Sequence, residues 1–87
     1  MGEASKKDRL KVRVITLGEV LWEGEATSLS AENTTGAFDI LPQHANFITI
    51  LKGSPITIRT GDGEEEFNFS RSLLYAKENV IKVYADI

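Results

Sequence analysis

The feature that most constrains the fold of this chain is a period-two alternation of apolar and polar residues, interrupted by turn signals about every 8–12 residues. Near the start, charged residues alternate with Leu10, Val12 and Val14. Such alternation is typical of a strand with one face in the core, because successive side chains of a strand point to opposite sides. No segment shows the 3.6-residue period of an amphipathic helix. The pattern therefore predicts an all-β protein.

The clearest turn signal is Gly61-Asp62-Gly63, which has an alternating segment on each side. Glycine and aspartate tolerate the positive φ angles of a tight hairpin turn, so this stretch predicts a β-hairpin. The acidic run Glu64–Glu66 opens the second arm of that hairpin. Charge at this position is typical of an edge strand, where it discourages pairing with other chains.

Two segments depart from simple alternation. Gly24 lies inside another predicted strand and is expected to mark a bulge or bend. The run Ala45–Leu51 is apolar at both alternating sets of positions, apart from Asn46 and Thr49. That composition predicts a strand that is buried on both sides or lies under a partner.

Together the segments predict two packed sheets, an antiparallel β-sandwich of about ten short strands. The chain has 87 residues, which is enough for one domain with one core. Residues 1–8 lack apolar periodicity and are expected to form a flexible tail. The sandwich domain is therefore expected to span residues 9–87.

Charge and hydropathy exclude several kinds of partner. The net charge is -3, and since residues 1–13 carry five cationic against two acidic side chains, the remainder of the chain carries -6. An acidic body is unfavourable for phosphate contacts, so we expect no nucleic-acid partner. No apolar run approaches the roughly 20 residues of a transmembrane helix, so we expect no direct insertion into a bilayer. The absence of a secretory signal predicts a location inside a cell.

The residues offer no recognisable catalytic set. The chain has no cysteine, and His44 is its only histidine. No G-x-S-x-G motif is present, and Gly61-Asp62-Gly63 lacks the Lys-Ser/Thr pair of a phosphate-binding loop. We therefore expect a non-enzymatic protein without a metal or cofactor. A small enzyme or metal protein centred on His44 stays open as a rival.

The most unusual segment is Gly36–Ala45, which reads Gly-Ala-Phe-Asp-Ile-Leu-Pro-Gln-His-Ala. It places a Pro-Gln-His corner between two apolar runs. One interpretation is a turn in which backbone groups satisfy His44. The other is a shaped corner that is presented to another protein.

This segment resembles the signature of the epsilon subunit of rotary F-type ATP synthases, in its N-terminal β-sandwich domain. The family signature runs Gly, any residue, Phe or Leu, any residue, Ile, Leu, Pro, any residue, His, Ala. The resemblance extends from about Leu10 to Asp86 and includes Leu21–Ala26. Two features depart from the common family pattern: Asn46 replaces a proline, and Arg71-Ser72 stands where two glycines are frequent.

The resemblance implies a non-catalytic subunit of the central stalk. Such a subunit couples the gamma subunit to the membrane proteolipid ring during proton- or sodium-driven ATP synthesis, as a peripheral component at the cytoplasmic face of the energy-coupling membrane. Many members of the family continue into a C-terminal helical hairpin that is associated with inhibition of ATP hydrolysis and with ATP binding. Since this sequence ends at Ile87, we expect neither property. A generic β-sandwich adaptor for another protein is the alternative.

The resemblance also implies which residues contact each partner. Residues implied to contact the gamma subunit are Thr16, His44, Ala45, Phe47 and Thr49. Residues implied to contact the proteolipid ring are Thr35, Gly36, Ala37 and Phe38. We further expect Phe38 and Ile40 to divide their roles, with one facing the core and the other shaping the ring-facing corner.

Overall fold

The computed structural model describes residues 9–43 and 46–87. The expected tail at residues 1–8 and the implied gamma contacts His44 and Ala45 lie outside these ranges. Within them the chain forms nine strands, and no helix there is long and apolar enough to cross a membrane. In chain order the strands are β1 Leu10–Thr16, β2 Glu19–Ala26, β3 Ser28–Asn33, β4 Gly36–Ile40, β5 Asn46–Leu51, β6 Ile56–Thr60, β7 Gly63–Phe67, β8 Ser72–Lys77 and β9 Val80–Ala85.

The strands form two sheets. One has five strands in the order β2-β1-β9-β8-β5, and the other has four in the order β4-β3-β6-β7. The all-β sandwich expected from the alternation is confirmed. All of its strand pairs are antiparallel except β1 with β9, which run parallel. A parallel pair cannot be joined by a hairpin, and here most of the chain separates the two strands.

Aliphatic side chains from both sheets fill the space between them. The alternating residues Leu10, Val12 and Val14 all point inward and are fully buried. The other large aliphatic residues that are almost completely buried are Leu29, Ile40, Leu51, Ile56, Ile58, Leu74, Ile81 and Val83. Burying one such side chain contributes about 1.5–3 kcal/mol, so this layer is the main source of stability.

The hairpin around Gly61-Asp62-Gly63 is confirmed as the β6–β7 connection. Strand β7 is an edge of the four-stranded sheet, and Glu64–Glu66 are all exposed on it. The acidic run therefore lies at a sheet edge, as its charge predicts.

The prediction of a bulge at Gly24 is wrong. Gly24 pairs with Val12 in regular register. The register shift lies three residues earlier, at Leu21, which has no partner on β1. Gly24 has a different role, because a Cβ atom there would lie 3.0 Å from Cη2 and Cζ2 of Trp22. The glycine makes room for the indole ring to lie flat along its own strand.

The prediction that Ala45–Leu51 is buried on both sides is also wrong. Strand β5 lies at an edge of the five-stranded sheet. Its inward-facing Leu51 is 2% exposed, whereas Ile48 on the opposite face is 61% exposed. The second apolar set of positions therefore faces outward, which leaves the alternative that this strand lies under a partner.

We expect Gly24→Ala to destabilise the fold by about 1 kcal/mol, because the new methyl group must displace the indole ring. The effect is measurable by urea unfolding, and the emission of Trp22, the single tryptophan, should shift to the red as the ring becomes more hydrated. Gly61→Ala is the matched control, since nothing lies within 4 Å of a Cβ at that position. It should leave stability unchanged or raise it by about 0.5 kcal/mol. Equal stability of the two variants would contradict the role assigned to Gly24.

Candidate functional site

The outer face of the four-stranded sheet is polar and internally bonded. Arg59 donates from Nη1 to Oγ of Ser30 at 2.8 Å and from Nε to Oε2 of Glu64 at 3.1 Å. Ser30 in turn donates to Oδ1 of Asp39 at 2.6 Å. These side chains extend across all four strands, and their charges and hydrogen bonds are compatible with water. This face is therefore suited to contact with water.

The outer face of the five-stranded sheet has the opposite character. One row of mutually paired residues crosses all five strands, and every member is apolar or aromatic. In strand order, the apolar row consists of Val20, Ile15, Tyr84, Leu73 and Ile50. Val20 is 50% exposed, and the other four are half-buried. The row lies outside the core, since its chain neighbours Val14, Val83 and Leu74 fill the inner face.

Further apolar groups and a charged rim border the apolar row. Ile48 adjoins it on β5, and Leu17, in the β1–β2 turn, is 94% exposed. In the same cross-strand row as Ile48, Lys82 lies beside Arg13, which is paired with Glu23 at 2.8 Å. An apolar centre beside a charged rim is the usual anatomy of a protein–protein interface. This surface is therefore the best candidate for a binding site in the two described ranges.

The residues implied to contact the gamma subunit do not all come together. Thr16 ends β1, whereas Phe47 and Thr49 lie on β5, with β9 and β8 between them. Three strand steps of about 4.8 Å separate these positions by about 14 Å across the sheet, before any offset along the strands is added. Thr49 accepts a hydrogen bond at Oγ1 from Nδ2 of Asn33 at 3.1 Å, so this side chain points toward the other sheet.

The residues implied to contact the ring form part of the β3–β4 turn and the first three positions of β4. The backbone amide of Thr35 donates to Oδ1 of Asn33 at 2.8 Å, which closes the turn. Gly36 has a φ of 134°, a conformation that residues with a side chain rarely adopt. Ala37 is exposed, whereas Phe38 is half-buried. A short, stiff tip is the result.

The expected division between Phe38 and Ile40 is wrong. Because two residues separated by one position share a face of a strand, both point inward. Ile40 is 2% exposed, and Phe38 packs against the same core. Exposed Ala37 and Asp39 occupy the outer face instead.

Phe38 joins the two implied contact groups. Its ring meets that of Phe47 edge-to-face, with centroids 5.5 Å apart and an interplanar angle of 83°. The pair closes the gap between the sheets beside β5. One residue implied to face the ring therefore packs directly against one implied to face the gamma subunit.

The reasoning from sequence missed the apolar row. Its signal was present as adjacent apolar residues within strands, such as Val14-Ile15 and Leu73-Leu74. In each pair one residue must face outward, since a strand alternates its faces. The strand register aligns these outward residues across five strands, and the sequence alone does not show that register.

Comparison with known proteins places the chain among ATP synthase subunits. A family model described as "ATP synthase, Delta/Epsilon chain, beta-sandwich domain" matches residues 9–87. The ATP synthase epsilon chain of Psychrobacter cryohalolentis is 37% identical over 78 residues, which cover 88% of this chain and 56% of the relative. The epsilon chain of Streptomyces avermitilis is 38% identical over 55 residues, which cover 63% of this chain and 44% of the relative. The chain thus spans about half the length of the curated relatives it matches.

Solved structures share the fold. A chain in the cryo-EM structure of the Euglena gracilis mitochondrial ATP synthase, described as OSCP/F1/c-ring, superposes with a TM-score of 0.81 at 10% identity, covering 90% of this chain and 51% of that one. A chain in the central stalk/c-ring structure of the Tetrahymena thermophila mitochondrial ATP synthase gives a TM-score of 0.74 at 12% identity, covering 93% of this chain and 66% of that one. At these identities the likeness shows the sandwich fold alone.

We expect the Phe38–Phe47 contact to contribute about 0.5–1.5 kcal/mol beyond the area it buries. A double-mutant cycle with Phe38→Leu and Phe47→Leu, followed by urea unfolding, should give a coupling energy in that range. The control cycle combines Phe38→Leu with Phe67→Leu, which lies three strands away in the same sheet. That pair should be additive within about 0.5 kcal/mol. If both cycles are additive, the Phe38–Phe47 contact makes no specific contribution to the free energy of unfolding.

Proposed function

This chain belongs to the ATP synthase delta/epsilon family, whose β-sandwich domain it forms, and we propose on that basis that it is a non-catalytic subunit of the central stalk of an F-type ATP synthase. In this role it couples the gamma subunit to the membrane proteolipid ring during ATP synthesis driven by protons or sodium ions. It acts as a peripheral component at the cytoplasmic face of the energy-coupling membrane. It needs no cofactor, since its task is to bind and to transmit force.

The observation that carries this proposal is the contrast between the two outer faces. A free-standing sandwich of this size would be expected to present polar surfaces on both sides, as the four-stranded sheet does. The apolar row instead leaves Val20 and its neighbours partly exposed on the five-stranded sheet. Contiguous apolar surface of this kind is typical of a permanent partner interface. We assign this face to the gamma subunit.

Only part of the contact set implied by the family resemblance adjoins this face. In the proposed complex Thr16 lies beside the end of the apolar row, and Phe47 and Thr49 lie on the strand that carries its other end. His44 and Ala45 directly precede that strand in the sequence. The gamma subunit would therefore cover the apolar row and reach Phe47 and Thr49 only around the edge at β5, since both side chains point inward.

The proposed ring contact is the tip of the β3–β4 hairpin, formed by Thr35, Gly36, Ala37 and Phe38. Transmission of force between two subunits requires a rigid contact. The hydrogen bond within the turn and the packing of Phe38 on the core both restrict motion of this tip. Ala37 is small and exposed, so it allows close approach of another surface.

We expect Leu73→Gln to weaken binding of the purified gamma subunit from the same source at least about tenfold, because Leu73 lies inside the apolar row, between Tyr84 and Ile50. Isothermal titration calorimetry measures the change. Thr57→Gln is the control, since Thr57 is half-buried at a similar position on the polar outer face of the other sheet. It should bind like the wild type. If the folded wild-type chain does not bind gamma at all, the stalk assignment fails and the adaptor alternative takes its place.

We expect Ala37→Lys to weaken attachment of the chain–gamma complex to the detergent-solubilised proteolipid ring about tenfold, because a charge would be buried in the contact. The fold should persist, since Ala37 pairs across the strands with Glu32. Thr57→Lys is a matched control that places the same charge opposite Glu66. Co-sedimentation with the ring gives the readout. Equal attachment of both variants would exclude Ala37 from the ring contact.

A further inference from the structure

The two sheets have four edge strands, and three of them carry features that discourage pairing with another chain. Strand β7 is lined by three glutamates, and β2 combines three glutamates with a bulge at Leu21. Strand β4 is only five residues long and carries Asp39. Charges, bulges and short length are the usual protections of an open edge.

Strand β5 has none of these protections. Its sequence is Asn-Phe-Ile-Thr-Ile-Leu, with no charge and no proline. It pairs with β8 in unbroken register over all six residues. A regular, uncharged strand rich in β-branched residues is a strong template for a further strand.

The ladder of the sheet shows which backbone groups of β5 are open. The amide of Asp86 donates to the carbonyl of Arg71 at 2.8 Å, so the backbone groups of these two opposed residues point toward each other. The next pair, Ser72 with Ala85, must then direct its backbone groups away from each other. Backbone groups alternate in direction along a strand, so Ser72, Leu74 and Ala76 direct theirs toward β5. Their partners on β5 are Leu51, Thr49 and Phe47.

The amides and carbonyls of Asn46, Ile48 and Ile50 must then point away from the sheet. Within residues 9–43 and 46–87, no backbone hydrogen bond links these groups to another strand. An added strand would satisfy them without disturbing the ladder to β8.

The surroundings define the chemistry of such a strand. On the outer face it would continue the apolar row beyond Ile50 and lie next to Ile48. On the inner face it would lie beside Phe47, which already packs on Phe38. Both sets of alternating positions therefore favour apolar or β-branched side chains. The absence of charge on β5 disfavours charged residues in the middle of the added strand, whereas Lys52 and Lys77 near its two ends favour acidic residues at the flanks.

We propose that β5 binds an extended, uncharged segment of about six residues from the gamma subunit, which adds a sixth strand to the five-stranded sheet. This inference rests on the proposed function and specifies how part of that contact is made. Backbone hydrogen bonds supply the register of the complex, and the apolar row supplies area beside them. The edge is thereby protected by its partner and not by its own sequence.

Amide hydrogen exchange measured by NMR tests the proposal directly. In the free chain the amides of Ile48 and Ile50 should exchange rapidly, whereas those of Phe47 and Thr49 are bonded to β8 and should already be slow. On binding purified gamma, exchange at Ile48 and Ile50 should slow at least about a hundredfold, as expected for newly hydrogen-bonded amides. Unchanged exchange at both residues in the saturated complex would overturn the proposal.

A matched pair of variants separates the backbone from the side chain. Ile48→Pro removes the outward amide, and proline is tolerated on an edge strand where its nitrogen faces solvent. Ile48→Ala keeps the amide and removes the same apolar contact. Gamma should bind Ile48→Pro about tenfold more weakly than Ile48→Ala, and equal affinities would overturn strand addition. If Ile48→Pro does not fold, hydrogen exchange on the wild type decides the question.

The outcomes distinguish this inference from the function on which it rests. Binding of gamma to the wild type with no protection of Ile48 and Ile50 overturns strand addition and leaves the stalk assignment intact. No binding of gamma overturns both. A wild-type dimer, formed without gamma and with these two amides protected, assigns the edge to a second copy of the chain and also overturns the proposal.

Discussion

The parallel pairing of β1 with β9 is the contact on which the five-stranded sheet depends. Strand β1 brings β2 with it, and β9 brings β8 and β5, so without this pairing the sheet separates into two smaller pieces. The pair begins where the amide of Lys11 donates to the carbonyl of Asn79 at 2.8 Å. Its partners are far apart in the chain, and closing so long a loop costs entropy that only the completed core can offset. The apolar row crosses this junction at Ile15 and Tyr84, so the candidate site exists only when the whole sheet is assembled.

The contrast between the outer faces supports the proposal that one sheet binds a partner and the other faces water. Both inner faces carry the same kind of aliphatic side chain, and the burial of these side chains stabilises the sandwich. The charges and hydrogen bonds of the network centred on Arg59 make the outer face of the four-stranded sheet compatible with water. Apolar residues on the other outer face gain less in the isolated chain, because they stay partly exposed to water. Their exposed surface contributes favourable free energy only when a partner removes it from water.

Local patterns in the sequence predicted the strands, the Gly61-Asp62-Gly63 hairpin and the acidic edge, because alternation and turn chemistry act over a few residues. The signature segment identified the family. The location of the bulge did not follow from Gly24, since a glycine in a strand can also make space for a neighbouring ring, as it does for Trp22. Strand order, the parallel pair and the alignment of the apolar row depend on contacts between distant residues, and no local pattern contains them. The period of a strand already places Phe38 and Ile40 on one face, so the sequence itself argues against different roles for the two.

The side of the sandwich at β5 is where the two proposed interfaces become one mechanical unit. The hairpin tip assigned to the ring belongs to the four-stranded sheet, whereas the face assigned to gamma belongs to the five-stranded sheet. In the proposed complex, force that enters at one interface would cross between the sheets to reach the other. On this side the sheets are joined by the edge-to-face contact of Phe38 with Phe47 and by the hydrogen bond from Asn33 to Thr49. Asn33 also closes the turn at the tip, through the amide of Thr35. One asparagine thus links the tip to β5, and a sixth strand on that edge would place the gamma subunit beside this link.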